Sequence, residues 1–142
     1  MSNYEPKIVA FFCNWCTFTA ADLAGTSRLA YPPNMKIIRM MCSGMVDPKY
    51  VLKSFLNGAD GVLIGGCWPG DCHYINGNLK ARRRVALLTA LLKQYGIGEE
   101  RLWLRWIAAS EGNMLQEVAV EMTDKLKELG PSPLNNAKQK AI

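Results

Sequence analysis

Apolar residues gather in four short runs, separated by longer stretches with helical spacing. Residues 7–12 (KIVAFF), 36–41 (KIIRMM), 60–65 (DGVLIG) and 101–107 (RLWLRWI) read as strands, the first as a buried one and the last with some alternation. Helical spacing covers 17–30, 48–57, 78–95 and 111–129. Thr17 or Thr19 offers a cap for the first helix, and Asp47 before Pro48 opens the second. The third places Val85, Leu88, Leu91, Leu92 and Tyr95 on one face. The fourth does the same with Leu115, Val118, Ala119, Met122, Leu126 and Leu129, and Gly130-Pro131 stops it. Residues 131–142 then read as a mobile C-terminal tail on a domain spanning 1–130.

Strand and helix alternate four times. That pattern predicts a single α/β domain with a four-stranded parallel sheet and helices on both faces. With right-handed crossovers, the expected strand order is the flavodoxin-like 2-1-3-4. There is no internal repeat and no low-complexity segment.

Composition sharpens this little. A chain of 142 residues, 49% hydrophobic, suits one domain with a real core. No apolar run reaches the roughly 18 residues of a membrane span. The N-terminus has neither a basic n-region nor a cleavage-site pattern, so a cytoplasmic protein with no membrane contact is expected. The net charge of +5 includes one dense cluster, Lys80, Arg82, Arg83 and Arg84. It is too mild to imply nucleic acid, and no aromatic-interleaved basic motif accompanies it. There is no GxSxG, P-loop, GxGxxG or paired-carboxylate spacing, so no self-contained catalytic residues and no organic cofactor site are expected.

The cysteines change the picture. Cys13 and Cys16 follow the first strand, Cys42 the second, and Cys67 and Cys72 the third. In the order 2-1-3 these strands are neighbours about 4.8 Å apart, so all five thiols should meet within roughly 10 Å at one sheet edge. The edge lies where the winding reverses, the usual ligand position in open α/β sheets. Gathered thiolates suit zinc or an iron–sulfur centre. A domain with a good apolar core has little need of a zinc staple, which favours an electron-carrying 2Fe-2S cluster; the gap between Cys67 and Cys72 also occurs in plant-type ferredoxins. Two alternatives remain: a thiol–disulfide oxidoreductase using Cys13-Asn-Trp-Cys16, and a zinc-stapled adaptor.

The loop GGCWPGDCHYINGN should turn at Pro69-Gly70 and aim backbone N–H groups at sulfur. Trp68 would shield the site or pack on the core, and His73 would be a ligand, a hydrogen-bonding group or a surface residue. The arginines lie in the first turns of the third helix, where the macrodipole disfavours cations by about 0.3–1 kcal/mol each. At least one should approach the sheet or loop, and the cluster could dock an acidic partner.

The stretch CWPGDCHYINGNLKARRRV, together with FFCNWC, MMCSGMVDP, IAASEGN and KELGPSPL, resembles the delta-subunit family of methyl-viologen-reducing hydrogenase. The resemblance covers nearly the whole chain. It implies a 2Fe-2S electron-transfer subunit of a methanogenic archaeon, non-catalytic in itself and part of a large hetero-oligomeric oxidoreductase. Its partners would be a nickel-iron hydrogenase small subunit, or a formate dehydrogenase, and the flavin-containing A subunit of heterodisulfide reductase. Electrons would bifurcate there towards ferredoxin and the CoM-S-S-CoB heterodisulfide, in partner subunits. The resemblance implies that four of Cys13, Cys16, Cys42, Cys67 and Cys72 are ligands. Cys16, at the start of the first helix, is the candidate to point elsewhere.

Overall fold

The computed structural model describes residues 4–135. The elements are β1 (Ile8–Cys13), α1 (Thr17–Thr26), β2 (Met35–Met40), α2 (Pro48–Leu56), β3 (Gly61–Gly66), α3 (Gly77–Gln94), β4 (Leu102–Trp106) and α4 (Gly112–Leu129), with one-turn 3-10 helices at Ser43–Met45 and Glu99–Arg101. All strand pairs are parallel, in the order β2-β1-β3-β4. The α/β architecture and the strand order match the expectation.

Alternation along the central strands builds two cores. Ile8, Ala10, Phe12 and Leu63 face α1 and α4, where Ala20, Ala24, Leu115, Met122 and Leu126 meet them. Phe11, Val62 and Ile64 face α2 and α3, against Val51, Phe55, Leu88 and Leu92. Strand β3 is buried along its whole length, whereas the edge strand β2 is only half-buried. Among the described residues, no helix is long and apolar enough to cross a membrane.

Four local expectations need correction. Neither Thr17 nor Thr19 caps α1: Cys16 takes the cap position, without a side-chain cap bond, and the Thr19 hydroxyl donates to the carbonyls of Asn14 and Trp15. Helix α1 also ends at Thr26, not residue 30. The Thr26 hydroxyl bonds back to the Asp22 and Leu23 carbonyls, Arg28 turns left-handed (φ 57°), and the Leu29 N–H closes on the Ala24 carbonyl. On α3, Leu88 and Leu92 are buried, but Leu91 and Tyr95 point outward, 38% and 63% exposed. On α4, Leu129 is likewise 40% exposed.

The cap at Asp47 does form, accepting from the Lys49 N–H at 2.8 Å, and Gly130 ends α4 with φ 78°. Residues 131–135, the beginning of the expected tail, are fastened to the body. The Asp60 carboxylate accepts from the Ser132 N–H and the Asn135 amide, both at 2.9 Å. Buried Arg101 donates to the carbonyls of Asp60, Gly130 and Pro131. Residues 136–142 lie outside the described residues.

Candidate metal centre

Register brings the thiols together. Phe12 pairs with Gly65 and Cys13 with Met40, so β1, β2 and β3 run out at one level, with Cys13, Cys42 and Cys67 at or just past their ends. The Cys13 and Cys67 sulfurs are 3.6 Å apart. Cys16 joins them, and these three sulfurs lie within 4.8 Å of one another. The Cys42 and Cys72 sulfurs form a second group, 3.9 Å apart. Both groups lie at or just past the ends of the neighbouring strands β1, β2 and β3. All five cysteines are free thiols. The start of α1 does not turn Cys16 away, because its sulfur stays beside Cys13 and Cys67.

These separations test the fit of a metal. Thiolates held about 2.3 Å from a tetrahedral ion stand about 3.8 Å from each other. The pairs at 3.6 and 3.9 Å both match.

Backbone cradles the sulfurs. The Thr17 N–H donates to the Cys13 sulfur and the Gly44 N–H to the Cys42 sulfur, each at 3.4 Å. The N–H groups of Asn78, Tyr74 and Gly77 converge on Cys72. This approach needs glycine. A Cβ at Gly77 would overlap the Cys42 sulfur, and one at Gly44 would stand 2.8 Å from the Gly77 carbonyl oxygen. The Cys42 and Cys72 segments therefore touch backbone to backbone.

Thiol electrostatics follow from this packing. Burial pushes Cys67 far up, reinforced by the neighbouring Cys16 and Cys13 thiols. Burial also raises Cys16 and Cys42. At Cys72 burial pushes the same way, but the three backbone N–H groups and the Cys42 thiol outweigh it, and the net shift is downward. Ionising the buried thiols thus needs a cation among them, as a metal would supply.

Side chains hold the loops. The Trp68 indole, 38% exposed, donates to Glu111 at 2.5 Å, and Glu111 also accepts from the Ala108 N–H. Trp68 therefore ties the cysteine loop to the start of α4. The Asn78 amide, fully buried, donates to the carbonyls of Cys67 and Trp68. His73 lies at the surface: its ring stacks on Trp15 with centroids 3.8 Å apart, and the Trp15 indole donates to the Tyr74 hydroxyl at 3.3 Å. Pro69 and Gly70 make the expected turn, with Gly70 at φ 91° and the Asp71 N–H on the Trp68 carbonyl. Beyond it, Ile75 is left-handed at φ 71°, a conformation that costs a non-glycine residue about 1–2 kcal/mol.

The basic cluster divides. Arg84 turns inward and donates to the Gly44 carbonyl, bracing the segment that carries Cys42. Lys80, Arg82 and Arg83 are exposed, and none forms an ion pair among the described residues. A groove of about 860 Å³ along β2 and α2 reaches none of the cysteines.

Reasoning from sequence missed Gly44, Asn78 and Trp15. The NGN of the loop and the glycine after Cys42-Ser43 were the available signals, since small or amide residues beside cysteines mark close backbone approach.

Known proteins point the same way. The family description "Methyl-viologen-reducing hydrogenase, delta subunit" matches residues 8–130. The chain is 54% identical over 132 residues to the vhc iron-sulfur D subunit of the F420-non-reducing hydrogenase of Methanococcus voltae, covering 93% of this chain and 92% of that one. It is 51% identical over 129 residues to the iron-sulfur D subunit of the F420-non-reducing hydrogenase of Archaeoglobus profundus, covering 91% and 94%. It is also 44% identical over 126 residues to the A subunit of the ferredoxin:CoB-CoM heterodisulfide reductase of Methanosarcina mazei, covering 89% of this chain but 16% of that much longer one. With the family match spanning the whole sheet and every cysteine, the chain belongs to the methyl-viologen-reducing hydrogenase delta-subunit family.

Proposed function

We propose that this chain is the 2Fe-2S electron-relay subunit of a hydrogenase–heterodisulfide reductase assembly. The observation that carries the reading is the pair of sulfur contacts at 3.6 and 3.9 Å, each fitting the ligands of one tetrahedral iron. In this reading Cys13 and Cys67 would hold one iron and Cys42 and Cys72 the other, as the pairs in sulfur contact, while Cys16, within 4.8 Å of the first pair, would be a thiol beside the centre. Bound there, a two-iron, two-sulfide centre supplies one-electron exchange.

The chain's own residues do the rest. The N–H groups of Thr17, Gly44, Tyr74, Gly77 and Asn78 stabilise thiolate charge. Trp68 and the Trp15–His73 stack fix the loops at the mouth. Arg84 braces the Cys42 segment. Lys80, Arg82 and Arg83 dock an acidic partner surface.

The names of the relatives support the partners: upstream a hydrogenase (or, by the same relay logic, a formate dehydrogenase), and downstream the A subunit of the reductase. Free thiols throughout accord with a cytoplasmic location. A thiol–disulfide role for Cys13 and Cys16 fits less well. An attacking thiol is exposed with a depressed pKa, whereas Cys13 is 1% exposed and burial raises Cys16.

Purification without oxygen, with a visible spectrum and assays of iron, sulfide and zinc, tests the proposal. Equal iron and sulfide in a brown protein are expected. A colourless protein holding zinc, or a metal-free protein with one reducible disulfide, overturns it.

A further inference from the structure

The loop before α3 contains a residue that neither the fold nor the thiol site explains. Ile75 is 84% exposed and left-handed at φ 71°. The turn itself has a purpose. The Ile75 N–H closes on the Cys72 carbonyl and the Asn76 N–H on the Tyr74 carbonyl, which lets Tyr74, Gly77 and Asn78 aim their N–H groups at the Cys72 sulfur. Glycine or asparagine would serve that turn without strain. A β-branched apolar side chain is the worst choice for the backbone, and solvent gives it nothing in return. A side chain kept at a strained, exposed position points to a use outside the chain.

Its surroundings indicate the use. Tyr74 (46% exposed), Trp15 (41%) and Met45 (53%) are further large apolar side chains exposed at this rim, beside Met41, Trp68 and Leu79. Tyr74 and Trp15 are bonded to each other, and Met45 adjoins the Gly44–Gly77 contact. Lys80, Arg82 and Arg83 follow within the first two turns of α3, exposed and outside any ion pair among the described residues. An apolar knob flanked by unpaired cations on one side complements an apolar socket edged with carboxylates.

We propose that Ile75 is the apolar anchor by which this chain seats on the A subunit of heterodisulfide reductase, in a socket bordered by acidic residues that meet Lys80, Arg82 and Arg83. The inference rests on the relay reading. That reductase subunit is the chosen occupant because in the Methanosarcina mazei relative a stretch 44% identical to this chain is part of the same polypeptide, so the two are built to work in permanent proximity. Electron exchange also requires the thiol-bearing end to face that partner, and Ile75 stands three residues from Cys72.

The test uses the full-length, iron-loaded chain and its Ile75→Asn and Ile75→Gly variants. Affinity for the purified reductase partner and for the purified hydrogenase of the same organism is measured by calorimetry, beside iron content, visible spectrum and thermal midpoint. Both variants should keep iron and spectrum, melt at the same or a higher temperature, and bind the reductase partner at least tenfold more weakly. Leu87→Asn, which alters an apolar side chain 70% exposed further along α3, should leave that affinity within twofold. Unchanged affinity for the reductase partner in both Ile75 variants overturns the inference, as does equal weakening by Leu87→Asn. Loss of iron from the variants, or weakened binding to the hydrogenase alone, also overturns it. A parent chain without iron overturns the relay reading instead, and the iron assay tells the two failures apart.

Discussion

Single side chains decide whether this site exists. Gly77 is the sharpest case, because any Cβ there collides with the Cys42 sulfur. Gly77→Ala should leave a folded protein, by circular dichroism, that retains less than half the parent's iron after anaerobic purification. Among the thiols the effects should be unequal. In the relay reading, serine at Cys13, Cys42, Cys67 or Cys72 would remove a ligand from a pair and should abolish the visible spectrum, whereas Cys16→Ser should keep it. Loss of colour in Cys16→Ser with retention in Cys72→Ser would reverse the assignment. Titration adds a third expectation. Burial raises Cys67, Cys16 and Cys42, so the metal-free fold is favoured while those thiols stay protonated; Cys72 alone shifts the other way. Stability of the metal-free chain should therefore fall as pH rises above the ordinary thiol value of about 8.5, where the unfolded chain ionises first. Thermal melts of metal-free and metal-loaded protein across that range check this, and only the former should lose stability.

At the level of elements, strand ends and loops share the work. The meeting of the cysteines was legible because each follows an apolar run, and parallel neighbours end at one level. The clasp of Trp15, His73 and Tyr74 was not, because it joins segments far apart in sequence that carry no shared period. Helix α3 was only partly legible. It is rich in leucine and alanine around its circumference, so spacing could not choose between Leu88 and Leu91 as core. The arginines illustrate the same limit: three in a row point three ways about the helix axis, so at least one had to approach the sheet or loop, but only the fold identifies Arg84 and the Gly44 carbonyl. The cluster should accordingly split under mutation. Arg84→Ala removes a partner from the Gly44 carbonyl and should lower stability by about 1–3 kcal/mol, read from denaturant melts. Arg82→Glu with Arg83→Glu should leave the melt and spectrum intact and weaken binding to the reductase, most strongly at low salt. A stability loss in the double variant, or none in Arg84→Ala, would contradict the division.

The whole molecule separates its tasks by pole. At the end of the sheet remote from the thiols, Asp60, Arg101, Ser132 and Asn135 lock the chain's last described residues to the body. Between the poles two apolar layers carry the stability. Leu126→Ala, at a fully buried position, should cost about 2–5 kcal/mol in denaturant melts. At the thiol pole the loops that carry cysteines are tied down. The contact of Gly44 with Gly77 welds the segments bearing Cys42 and Cys72 into one unit, while β1 and β3 fix Cys13 and Cys67. In the relay reading, a cage this well braced would relax little when its charge changes by one, which would leave the rate of exchange to the gap to the next redox centre and the difference in potential across it.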